Sequence, residues 1–434
     1  MSNQLNVTFS SGLKDYMEER ITAIIGAGAP LNFSYTGKII PSTGEITRIV
    51  TTPYLSQDGK NNIIIPKQIE THLKKTYPPE RNGQTANINF EMIFHVMELY
   101  ISYENSWNNK RNRKVFPIFG PFTLPSISFD LNDMFYVMKQ YIIRIMDIVD
   151  SYNVHFMNVP EAEMWYKNFF RASLHKWDIF NFNYDTTIEA SLGEYEDGYT
   201  PIRSGVERFS PIKLWNNAQT LSTVNHLHGC INYCYSNNPG RDRFNYRYND
   251  LFKYDSYDTV KQIMNERYQS HSYNQDGTVI FAGPILTGLR KTDKLNCVPF
   301  DFYHSNLTNC IIRNRSLLIV GYSFGDLYCN QMIERMVEIH GNKSRVVIID
   351  KWFIKNYDED SLITYMKEKI SLEMSNFLKK VVCVDQITAL AKQLKFNNIS
   401  NPMRSNNGNL MLLIDGFKKA TDYKEEIMQF LLGR

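Results

Sequence analysis

The sequence has 434 residues, enough for two or three structural units, and its 43% apolar and 21% charged residues are the balance of an ordinary globular protein. A formal net charge of +3 gives no reason to expect direct nucleic-acid binding, and the six cysteines (Cys230, Cys234, Cys297, Cys310, Cys329, Cys383) hold one Cys-x-x-x-Cys pair without a second to complete a zinc site. No apolar window is long enough to cross a bilayer, and residues 1–11 lack a basic start followed by an apolar stretch, so a cytoplasmic location without membrane contact is expected.

Residues 13–20 read as a helical turn or two. Ile21, Ala23, Ile24 and Ile25 then form an apolar run that reads as a buried parallel strand and stops at Gly26-Ala27-Gly28. Such a strand-to-helix turn can bring backbone N–H groups to a pyrophosphate, although Gly-x-Gly alone is a weak signal. Residues 31–83 are rich in Thr, Ser, Pro, Gly and Asn and are predicted as loops with β-like pieces at 44–53 and 62–66. Helical spacing returns at 90–103, through Phe90, Ile93, Phe94, Met97, Tyr100 and Ile101, and again at 130–150 and 161–174. The basic cluster Lys110-Arg111-Asn112-Arg113-Lys114 lies in a polar loop between the first two of these helices and reads as solvated.

Strand character resumes at 177–182, ending in Asn183-Tyr184-Asp185, and at 223–227, ending in His228-Gly229. Further strands are predicted at 278–286, at 316–320 ending in Gly321, and at 345–349 ending in Asp350, with a helix at 327–339. An edge strand at 381–384 and a helix at 386–394 follow, then an Asn-rich linker and a helix at 423–432. This alternation predicts an α/β, Rossmann-like parallel sheet with helices on both faces, plus a helical and loop insertion. The expected division is a core over 1–396, with insertions at 31–176 and 231–277, and a linker with a C-terminal helical tail over 397–434. Ligands of such sheets bind beyond the carboxyl ends of the strands, where the polar residues just named gather.

In this order, and each at a strand end, Gly26-Ala27-Gly28, Asn183-Tyr184-Asp185, His226-Leu227-His228-Gly229 and Gly321-Tyr322-Ser323 resemble the signature of the sirtuin superfamily. The resemblance implies an NAD site with Gly26, Ala27 and Gly28 at the phosphates, Asn183 and Asp185 lining the nicotinamide pocket, and His228 as catalytic base. It also puts Gly321 and Ser323 against the nucleotide, and the strand end at Asp350 suits the ribose hydroxyls. Two features of sirtuin deacylases are missing: the paired Cys-x-x-Cys zinc module after the catalytic His, and the Phe-Arg after the glycine turn, where Asn32-Phe33-Ser34 stands instead. No structural zinc and no site metal are therefore expected. The combination resembles the sirtuin-like effectors of bacterial anti-phage systems, which destroy NAD alone or with a HerA-type ATPase or an Argonaute-like partner.

The chemistry can be stated from the residues. Breaking the nicotinamide–ribose bond creates an oxocarbenium-like centre, so a site must hold the carboxamide, screen charge and deliver water. Asn183 offers donors and an acceptor, and His228 titrates near neutrality and can take a proton. The expectation is an NAD glycohydrolase; a non-catalytic NAD or ADP-ribose sensing subunit and a nucleic-acid-processing subunit are the alternatives. Structural readings stay open beside these roles. Asp185 suits an N-cap, Thr186-x-x-Glu189 a capping box, Ser323 and Asp326 a helix cap, Asp350 a turn, and His226 competes with His228. Residues 241–257 carry six aromatics among Arg and Lys, compatible with base stacking but placed to form a wall or lid over the nucleotide. A homo-oligomer is expected, with activity held off until assembly, a partner or a phage product releases it.

Overall fold

The computed structural model describes residues 20–32, 34–35, 38–39, 41–55, 62–76, 88–108, 131–157, 166–171, 175–236, 250–266, 271–273, 279–281, 283–288, 291–295, 297–354, 358–395 and 402–433. Eight strands form the main sheet: β1 Ile21–Ile25, β2 Trp177–Asn181, β3 Thr223–His226, β4 Ser316–Val320, β5 Arg345–Ile349, β6 Leu394–Lys395, β7 Met403–Ser405 and β8 Leu410–Leu413. Their spatial order is β6-β7-β8-β5-β4-β1-β2-β3. The six strands from β8 to β3 pair in parallel, and β6 and β7 add an antiparallel edge. This is the strand order of the doubly wound dinucleotide-binding sheet, which reverses direction between β1 and β4. The Rossmann-like α/β architecture read from the sequence is the observed one.

The central strands are apolar because both of their faces are covered. Along β1 and β4, Ile24, Leu317 and Ile319 face one core while Ile21, Ala23, Ile25, Leu318 and Val320 face the other. The first core packs α1 Thr43–Thr51, α2 Ile65–Thr76, α3 Phe90–Asn108 and α4 Leu131–Met157. It also packs α6 Phe300–Arg313 and α7 Leu327–His340. The second core packs α5 Thr187–Leu192 and α8 Lys424–Leu432. At the amino end of the sheet, buried Arg20 donates twice to the Asp178 carboxylate, at 3.0 and 2.7 Å, and Asn314 and Thr223 donate to the same group at 3.0 Å each. That clasp ties β1, β2, β3 and the end of α6 together and leaves the opposite end of the sheet for ligands. Beside it stands a four-stranded antiparallel sheet that includes Val206–Phe209 and Phe252–Tyr254.

Several segments differ from the sequence reading. Residues 44–53 fall largely in α1: the β-branched Ile46, Thr47, Ile49, Val50 and Thr51 suggest a strand, but Ser42 caps the Glu45 amide and starts a helix. Residues 62–66 give two residues of hairpin and then the start of α2, whose Ile65, Ile69 and Leu73 make one buried stripe. Val279–Phe281 pairs with His271–Tyr273 in a separate hairpin, outside the main sheet. Val381 and Val382 end a helix, Leu372–Val382. Residues 403–413, expected in a linker and a tail, form β7 and β8; Asn406-Asn407-Gly408 is the hairpin turn between them, with Gly408 at a φ of 71°. Residues 13–19, 110–114 and 237–249 lie outside the described residues. Among the described residues no helix is long and apolar enough to cross a membrane.

Candidate active site

The turns after β1 and β4 meet at the reversal point of the sheet. The Gly26 amide donates to Val320 O at 2.9 Å and the Gly28 amide to Gly321 O at 2.8 Å. A Cβ on Gly26 would stand 2.5 Å from Gly321 O, and one on Gly321, at a φ of 58°, would stand 2.0 Å from the Ala29 nitrogen. The glycines are thus required by one turn seating on another, and two of the amides that the sequence reading aimed at a phosphate are used within the protein. Ala27, between them, is exposed.

Beyond β2 the chain turns back on itself. Asn181 Oδ1 accepts from the Asn183 amide at 3.0 Å, and the Asn183 side-chain amide donates to Gly26 O at 3.3 Å. Asn183 is therefore fixed against the first glycine turn, 157 residues away in sequence. Asp185 is fully buried, and it takes the Thr187 amide at 3.1 Å, the Thr187 hydroxyl at 2.5 Å and the Tyr152 hydroxyl at 3.1 Å. Burial pushes its carboxyl upward, only partly offset by the Thr187 and Tyr152 donors. These contacts are those of a residue that starts α5 and pins α4 to it. The Thr186-x-x-Glu189 capping box does not form, because Glu189 turns to His226.

The two histidines take different directions because β3 ends at His226, leaving His228 in the turn beyond it. His226 Nδ1 donates to Asn183 O at 3.2 Å and Nε2 lies 2.5 Å from Glu189 Oε1. Burial opposes charge on this ring, but the Glu189 carboxylate and the Asn183 carbonyl outweigh it and raise its pKa. Glu189, also penalised by burial, is held below its ordinary range by His226.

His228 Nε2 lies 3.0 Å from Asp326 Oδ2, and Lys291 Nζ lies 3.4 Å from Nδ1. Its ring meets Phe182 edge-on at 4.6 Å. Burial, followed by the Lys291 ammonium, lowers the His228 pKa, with Asp326 acting against both. Asp326 also caps α7, its Oδ1 taking the Cys329 amide at 3.0 Å. Burial favours the neutral form of Asp326, but His228 and that amide hold the carboxyl far below the ordinary range. An ionised Asp326 only accepts, so it fixes the proton of neutral His228 on Nε2.

Around this pair, Tyr322 donates to Asn330 Oδ1 at 2.9 Å, and the next-but-one residue, Phe324, is held at a φ of 58°, a strained conformation for a non-glycine residue. Ser323 between them is exposed at the edge. Asp350 is occupied by its own turn: it accepts from the Lys351 amide at 2.8 Å and the Trp352 indole at 3.0 Å, and burial raises its pKa. His304 of α6 is buried, and burial, then His228, push its pKa down to about 4, with Asp326 and the Leu227 backbone acting against them. Asn181 Nδ2 is buried and has no hydrogen-bond partner among the described residues. One group among the described residues has metal-ligand chemistry: Glu189, His226 and Cys230, whose ligand atoms all lie within 4.8 Å of one another. Its 2.5 Å Glu189–His226 contact is that of an ion pair, since two ligands on a tetrahedral zinc stand about 3.4 Å apart.

The structure thus brings Gly26, Gly28, Gly321, Asn183 and His228 to one edge of the sheet. It engages Asp185 and Asp350 in turns, and leaves Ala27 and Ser323 open. The partners of the histidines, Glu189, Asp326 and Lys291, were not legible as such. Asp326 carries a helix-cap signal, but nothing local ties it to an imidazole 98 residues away.

The family model for a SIR2-like domain matches residues 178–372, from β2 through β5 and the helix that follows β5. Over those residues the chain is similar to a SIR2-like domain, which at the level of the family suggests NAD-related activity; the glycine turn after β1 lies outside the match. No curated protein matches the sequence.

Proposed function

We propose that this protein is an NAD glycohydrolase, cleaving the nicotinamide–ribose bond to give nicotinamide and ADP-ribose. The observation that carries the reading is the His228–Asp326 pair at the carboxyl edge of the sheet, beside Asn183 and the glycine turn. In the proposed reaction the C–N bond electrons pass to the nicotinamide ring nitrogen, neutralising its charge, and water adds at the ribose carbon and gives up a proton. His228 takes that proton, a role worth about 10²–10⁴-fold in rate, with Asp326 orienting the ring and stabilising its charged form. Asn183 can hold the water or the carboxamide, having donors and an acceptor. Ala27 and Ser323, exposed at neighbouring turns, are the groups open to the dinucleotide.

By the same reading the biological role is anti-phage defence by NAD depletion in the cytoplasm, through a homo-oligomer or with a HerA-type ATPase. A second reading, a non-catalytic NAD or ADP-ribose sensing subunit, is favoured by one observation: both His228 nitrogens have partners. Incubation with NAD, in the assembled state, with products separated by chromatography and binding followed by calorimetry, decides between them. Nicotinamide and ADP-ribose in equal amounts are expected. Binding without nicotinamide release would establish the sensor instead, and neither binding nor release would overturn both.

A further inference from the structure

Lys291 stands where it can decide whether His228 works as a base. A lysine ammonium has only N–H to offer and an ionised carboxylate only accepts, so Lys291 donates to Nδ1 and Asp326 accepts from Nε2–H. The neutral ring then has no lone pair left for a substrate proton: its single basic nitrogen is covered by a cation 3.4 Å away.

That cation is anchored. Lys291–Lys294 is a 3₁₀ turn, whose three-residue period puts its first and last lysines on one side. Both reach α3, Lys291 to Glu91 at 2.8 Å and Lys294 to Glu98 at 2.5 Å, carboxylates seven residues and so two helical turns apart on one face. Lys294 is buried and also donates to Thr287 O at 2.6 Å, which makes it the fixed end of the clip. Lys291, exposed by 19% of its side chain, is the end that can move. The groups facing His228 are Asp326 from the start of α7, Lys291 with Glu91 behind it from the 3₁₀ turn and α3, and His304 from α6.

We propose that Lys291 is a gating residue for His228: it caps Nδ1 in the resting protein and leaves that nitrogen for the diphosphate of an arriving dinucleotide, freeing the lone pair. The proposal rests on the reading of His228 as the base. It gives the α3 insertion a function, since the position of Glu91 sets where Lys291 sits.

The test is the pKa of His228, followed by NMR of histidine-labelled protein and assigned with His228→Ala, in wild type, Lys291→Met and Glu91→Gln. Lys291→Met should raise it by about one unit, because a like charge is removed from beside the imidazolium. Glu91→Gln keeps the lysine and removes its other partner, so the pKa should stay the same or fall. ADP-ribose added to wild type should raise the pKa, and should raise it by less in Lys291→Met, where no cation is left to withdraw. A His228 pKa within about 0.2 units of wild type in Lys291→Met, or a rise in Glu91→Gln, would overturn the gate. This readout needs no turnover: absence of nicotinamide release defeats the glycohydrolase reading and leaves the titration to judge the gate.

Discussion

His226 and His228 leave the same strand end, and each meets a carboxylate at hydrogen-bond distance. Their charge states nevertheless diverge. The second nitrogen of His226 faces the Asn183 carbonyl, so both nitrogens face acceptors and the charged ring is favoured. The second nitrogen of His228 faces the Lys291 ammonium, so the neutral ring is favoured. Burial opposes charge on both; the polarity of one neighbour separates a ring whose charged form is favoured from one whose neutral form is. The comparison also explains why the pair is split between two layers. Glu189 binds His226 from α5 and stiffens the Asn183 turn, whereas Asp326 binds His228 from the first turn of α7.

The comparison can be broken at each carboxylate. Asp326→Asn should have the largest effect, lowering turnover by about 10²–10⁴-fold, since an amide neither fixes the tautomer nor stabilises the imidazolium. Asn is as good an N-cap as Asp, so α7 should stay formed by circular dichroism; loss of that helical signal would mean that Asp326 serves α7 and not His228. His226→Ala should come next, through stability: it leaves the Glu189 carboxylate buried without its partner, at a cost of about 3–5 kcal/mol by denaturant titration. His228→Ala should unfold at a denaturant concentration much closer to that of wild type.

A smaller effect concerns pH. His226 has a raised pKa, so its contribution is present below its unfolded value of 6.5 and is lost as pH rises through the higher folded value. Glu189 has a lowered pKa, so its contribution is present above 4.5 and is lost as pH falls through the lower folded value. The stability gap between wild type and His226→Gln should therefore be widest between about pH 4.5 and 6.5 and narrow toward alkaline pH. A gap independent of pH from 5 to about 9 would contradict a charged His226.

Much of the sheet was legible because strands covered on both faces must be continuously apolar; β1, β4 and β5 announce themselves in this way. The edge was not, since β7 and β8 are short and their Asn-rich connection has the composition of a linker. In α1 the β-branched residues misled, and one capping serine decided the outcome. At the site, the need for glycine at 26, 28 and 321 was visible but its partner was not: the glycines admit each other's backbones. His228 was visible from its strand end. Its electrostatic setting was not, because Asp326 and Lys291 lie 98 and 63 residues further on and no local pattern connects them.

The central claim is that His228 takes the proton when the nicotinamide–ribose bond is broken. Its most direct test is nicotinamide release from NAD by wild type and His228→Ala, at equal concentration and in the same assembled state. The account predicts release by wild type and a loss of at least about 100-fold in the variant, with its fold intact by circular dichroism. Release at the wild-type rate from His228→Ala would contradict it.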